Sequence, residues 1–228
     1  MTPRVEFWDI FLLMLGAFLA EIIVFVPLEA FGLSRFSTIN LSVMVGSIWW
    51  LFGYQKLSRA RGWKSLPERF SPVGGKVIAA GVFGGLALAF VPLGLAKILE
   101  LSGIKITDVP VQPVLPSELS QLPLSMAVVV ILGPLSEEIM FRGLLLDWMM
   151  QKMAVWPAAL AVSLLFAVLH NIAFKNGLLV WIGFAVRFLF SLGASFFAIR
   201  YRSLRAPFVM HATLNGCVCL VTALRGPA

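Results

Sequence analysis

The sequence predicts an all-α, polytopic membrane bundle of about seven transmembrane helices, and three observations carry that expectation. At 60% hydrophobic and 13% charged residues, with a mean hydropathy of +0.94, a chain of 228 residues is too apolar for a soluble domain. Its apolar runs are about twenty residues long, the length that crosses a bilayer as a helix, and they lack the strict alternation of barrel strands. Lysine and arginine gather in two stretches between the runs, as topogenic charges do. The whole of 1–228 is expected to form a single membrane domain.

The first helix is expected from about Phe7 to Phe31, ending near Pro27 or shortly beyond it. Glu6 and Asp9 flank it, Glu21 interrupts it and no clean small-x-small site follows, which disfavours a cleavable signal peptide. The second runs from about Ile39 to Tyr54, with Trp49, Trp50 and Tyr54 suited to an interfacial belt. Lys56, Arg59, Arg61, Lys64, Arg69 and Lys76, against the single acid Glu68, then mark a cytoplasmic loop that meets lipid headgroups rather than nucleic acid. The third helix, about Val77 to Leu99, carries Gly81, Gly84, Gly85 and Gly94, which allow close backbone approach.

Residues Glu100 to Leu122, with Pro110, Pro113 and Pro116, form an external connection. The fourth helix, Leu124 to about Met150, contains Pro134, which removes a backbone donor, kinks the helix and frees a carbonyl beside a polar cavity. A fifth helix from Trp156 to His170 and a sixth from Leu178 to Arg200 flank the polar turn Asn171, Lys175, Asn176 and Gly177. Arg200, Arg202 and Arg205 form the second basic loop, and a seventh helix covers Ala206 to Ala223. Seven spans put both basic loops on one side, giving a multi-pass cell-membrane protein with a cytoplasmic N-terminus. Cys217 and Cys219, two apart, point to different sides of the last helix and suit neither a disulfide nor a thiolate metal site.

Glu137, Glu138 and Arg142 are the charges that this scheme has to accommodate. Each would cost roughly 2.5–3.5 kcal/mol facing the bilayer centre, so all three must face protein or water. Glu138 and Arg142 stand at i,i+4 with the acid first, which assigns them to a structural ion pair and leaves Glu137 free. Phe166 with His170, and His211 with Asn215, repeat the i,i+4 spacing, and these are the only two histidines in the chain. Arg187, mid-way along the sixth helix, also needs a partner; Glu21 matches its depth and is the expected one, with Glu138 as competitor.

Two carboxylates with an arginine four residues on, then Phe-x-x-x-His, then His-x-x-x-Asn, resemble the three ordered motifs of the CAAX protease and bacteriocin-processing (CPBP, or ABI) family. These intramembrane endopeptidases are similar to the type II CAAX prenyl proteases. The resemblance covers roughly residues 123–220, the expected catalytic core. It implies that Glu137 and His170 activate water and that His211 and Asn215 stabilise the oxyanion, with Glu138, Arg142 and Phe166 in support.

The residues themselves allow the same chemistry: a base and a helper to activate water, and two neutral donors one turn apart for the tetrahedral oxygen. No cofactor is expected; the alternative is zinc on Glu137, His170 and His211. The expected partners are a membrane-embedded or lipidated peptide substrate and membrane lipids, with no nucleic acid. Two other classes compete: a proton-coupled transporter, against which the lack of an apparent inverted repeat weighs, and a non-proteolytic immunity or interaction protein. One geometric demand is specific. A full span between His170 and His211 would put them at opposite membrane faces, so the turn at Asn171 to Gly177 is expected to stop within the protein, in a wet cavity.

Overall fold

The computed structural model describes residues 5–103, 115–116, 118–171 and 178–225, and the described residues form helices and their connections. Helix α1 spans Phe7–Ala30 and α2 spans Arg35–Arg61. A single turn, α3, covers Leu66–Arg69 and leads into α4, Gly75–Leu101. Continuous helix α5 runs from Leu119 to Met150. Short helix α6 is Val155–Leu169, α7 is Leu178–Tyr201 and α8 is Arg205–Arg225. Six of these are long and apolar enough to cross a membrane, and α6 is a shorter apolar helix, so the protein is a multi-pass helical membrane bundle. The expected polar connections are only partly visible, since 104–114, 117 and 172–177 lie outside the described residues.

Local chemistry sets the ends. Ser34 caps α2 by accepting the Ser37 N–H at 3.2 Å, and Gly62 stops it in the left-handed conformation (φ 66°) that a residue without a Cβ adopts freely. The α1–α2 hairpin is tied by the Asp9–Arg61 ion pair, 2.8 Å. That pair puts the start of α1 beside the end of α2, on the face where the basic residues collect.

The basic loop is more structural than expected. Arg69 is buried, pairing with Asp147 of α5 at 2.6 Å and donating to the Tyr54 hydroxyl at 3.0 Å, while Tyr54 donates to the Lys64 carbonyl. The Leu204 N–H reaches the Arg69 carbonyl at 2.7 Å and the Ser203 hydroxyl the Ser71 carbonyl at 2.7 Å, so this loop clasps the α7–α8 connection. Of the three expected belt residues, only Trp49 faces outward; Trp50 and Tyr54 are buried against this clasp and the core.

The glycines of α4 work unequally. A Cβ on Gly81 would lie 2.9 Å from the Ala206 carbonyl oxygen and one on Gly85 2.5 Å from that of Met210, so α4 and α8 touch backbone to backbone; Gly94 has nothing within 4 Å. Gly85→Val is therefore expected to push α8 away and cost about 1–3 kcal/mol. It should lower the thermal midpoint in detergent and impair His211, the residue after Met210, whereas Gly94→Ala should leave both unchanged.

Candidate active site

Helix α5 presents the two glutamates on six residues of regular α-helix, Gly133–Glu138, set between two wider π-helical stretches, Met126–Leu132 and Ile139–Leu145. In the π register the Gly133 N–H bonds back five residues to the Val128 carbonyl. The next residue is Pro134, which has no N–H for Val129. The Val129 carbonyl is thus the freed acceptor expected from the proline, and Asn215 Nδ2 of α8 donates to it at 2.8 Å.

Glu137 of α5, His170 at the end of α6 and His211 of α8 come together. Glu137 Oε2 lies 3.4 Å from His170 Nε2 and 3.8 Å from His211 Nε2. That oxygen is buried and makes no hydrogen bond among the described residues, although the Glu137 side chain as a whole is 30% exposed. Both imidazoles are held from behind. His170 Nδ1 sits 2.8 Å from the Phe166 carbonyl oxygen, and His211 Nδ1 2.9 Å from Glu138 Oε1. Each partner accepts, so each Nδ1 carries a proton and each Nε2 faces Glu137.

Beneath this cluster Glu138 and Arg142 form the expected pair at 2.9 Å, both side chains fully buried. The guanidinium stands 4.8 Å over the Phe166 ring and 5.2 Å over Phe190. Phe166 also stacks on His170 with centroids 4.1 Å apart and planes at 24°, while Phe190 packs against His211 at 4.5 Å. One aromatic layer therefore shelves both the cation and the histidines.

Residues 119–217 match the family model described as type II CAAX prenyl endopeptidase, Rce1-like. This segment is similar to the CAAX protease family over somewhat under half of the chain. No curated protein and no solved structure matches the chain. The matched segment starts with α5 and takes in all three motifs, so the family match and the clustered side chains fall on the same helices.

One expectation about this part of the chain needs correction. Arg187 does not pair with Glu21: its Nη1 donates to Asn171 Oδ1 at 3.0 Å, and Glu21 packs into the space above Gly46 on α2. Depth along a helix had matched them, but α1 lies against α2 and away from α7.

The depth problem is eased by length. Fifteen residues of α6 rise roughly 22 Å, short of the ~30 Å core, which leaves His170 inside the bundle. The turn expected to do this lies mostly outside the described residues. The contact that sequence reasoning missed is Glu138 to His211, across 73 positions; the adjacency of two carboxylates was its only signal. Among the described residues no group of three or more His, Cys, Asp or Glu side chains is placed to hold a metal ion.

Proposed function

We propose that the protein hydrolyses a peptide bond of a membrane-associated, lipidated substrate with a water held by Glu137 and His170. The family match over 119–217 supports a CAAX-type intramembrane endopeptidase in general, and that family acts on membrane-associated prenylated substrates. The observation that carries the mechanism is the buried Glu137 Oε2 facing two Nε2 atoms at 3.4 and 3.8 Å. Glu137 Oε2 has no well-formed hydrogen bond to either ring, and a water between it and His170 Nε2 would donate one proton to each.

Glu137 takes one proton from that water as it attacks the scissile carbonyl, with His170 Nε2 holding the other. The developing oxyanion meets the second Nδ2–H of Asn215, the first being fixed on Val129, and the Nε2–H of His211 carried as imidazolium from the start, while the proton taken by Glu137 passes to the leaving amine. Glu138, at His211 Nδ1, stabilises that imidazolium. The basic face formed by Lys56, Arg59, Lys152, Arg200 and Arg202 is proposed to be cytoplasmic, with the N-terminus on the same side.

Purified protein in detergent or liposomes is expected to cut a prenylated peptide, and EDTA should leave the rate unchanged. Loss of activity on chelation, restored by zinc, would instead make Glu137, His170 and His211 ligands. If no peptide from a broad lipidated library is cut, the hydrolase assignment fails.

A further inference from the structure

A concave groove lies between α6 and α7, away from the clustered glutamates and histidines. It holds about 390 Å³ and is lined by Trp156 and Leu160 of α6 and by Leu189, Leu192, Gly193 and Phe196 of α7. That volume falls within the roughly 300–1,000 Å³ of sites that hold small molecules. At 100° per residue the four α7 positions share an arc of about 80°, so they present one continuous apolar stripe. Trp156 and Phe196 stack across the seam with centroids 6.5 Å apart and planes at 16°. Because Trp156 opens α6 and Phe196 lies toward the end of α7, this aromatic pair marks the end of the groove nearest the basic face.

Two cations stand at that end. Lys152 precedes Trp156 in the connection into α6, and Arg200 follows Phe196 by one helical turn, on the same face of α7 as the groove. Both are exposed, and neither pairs with an acid among the described residues: Asp147 is taken by Arg69 and Asp9 by Arg61. The Arg200 guanidinium rests over the Tyr201 ring at 5.6 Å, which leaves its N–H edge open. Length then distinguishes the occupants. From Arg200 back to Leu189 α7 rises roughly 16 Å, and one leaflet of a ~30 Å hydrocarbon core is about 15 Å deep. A partner helix crossing the membrane would use the whole of α7, whereas a lipid uses one leaflet.

We propose that this groove binds one anionic phospholipid of the bilayer, with the headgroup phosphate between Lys152 and Arg200 and an acyl chain laid along Phe196 to Leu189. A guanidinium and an ammonium together suit a phosphate, through charge-assisted hydrogen bonds and through the attraction of basic residues for anionic headgroups. The aromatic pair sits where the chain leaves the headgroup, the depth that tryptophan favours. The site is independent of the hydrolase assignment.

Native mass spectrometry of the full chain, released from micelles doped with equal amounts of dioleoylphosphatidylglycerol and dioleoylphosphatidylcholine, tests this. Wild type should retain one phosphatidylglycerol, in roughly 10-fold or greater excess over phosphatidylcholine, the size of preference that two cations supply. Lys152→Gln with Arg200→Gln should lose the preference. Leu189→Trp, at an exposed position where the larger ring fills the groove without entering the core, should weaken retention of both lipids. Lys56→Gln with Arg59→Gln removes the same charge elsewhere on the basic face and should change nothing. Melting curves without added lipid confirm that each variant is folded, and phosphatidylglycerol should raise the thermal midpoint of wild type but not of the Lys152, Arg200 double variant. Equal retention of the two lipids by wild type, or a preference lost equally in both double variants, overturns the site and leaves only a diffuse basic face. If a lipidated peptide is retained in place of phosphatidylglycerol and Leu189→Trp abolishes it, the groove belongs to the chain of a substrate and the proposal fails.

Discussion

Glu137→Gln is expected to lower turnover of a lipidated peptide by between about 10² and 10⁴-fold, the contribution of a positioned general base, while the protein keeps its thermal midpoint in detergent. The amide is isosteric, and the oxygen that it replaces makes no hydrogen bond that the fold relies on. What is lost is the acceptor for the proton of the attacking water. Single-turnover rates on one peptide, with melting curves of both proteins, check this; a variant that turns over like wild type would remove Glu137 from the chemistry.

Glu138→Gln is expected to do two kinds of damage. Arg142 would be left as a fully buried charge without its counter-ion, at a cost of about 3–5 kcal/mol, and His211 would lose the carboxylate at its Nδ1. The two effects separate in the double variant Glu138→Leu with Arg142→Leu. Replacing a buried pair by apolar side chains of similar size is often neutral for stability, so the melting curve should recover, but His211 stays unanchored and kcat should stay low. A double variant that regains both would show that Glu138 serves the fold alone.

Much of this site was legible because its key spacings are local. The pairs Glu138–Arg142, Phe166–His170 and His211–Asn215 are all i,i+4, and helical geometry alone puts each on one face. The freed carbonyl followed from Pro134 in the same way. Contacts between helices were legible only as needs. Arg187 required a partner, yet depth along a helix says nothing of which helix lies beside it, and the choice of Glu21 failed because α1 packs on α2. Burial of Arg69 and Tyr54 was hidden for a related reason: one loop folds back over α5 and the α7–α8 connection, and no short-range pattern encodes that return. The His211–Glu138 bond belongs to the same class.

The bond from Asn215 to the carbonyl that Pro134 leaves free has a consequence for how the protein is made. Helices α5 and α6 emerge from the ribosome ahead of α8, carrying Glu137 and His170 into the bilayer before His211 and Asn215 are synthesised. Until α8 docks, Val129 lacks its donor and Glu138 lacks its imidazole. On the proposed mechanism the nascent chain would be insertion-competent but hydrolytically silent, and the bond that completes the bundle would be the one that arms it.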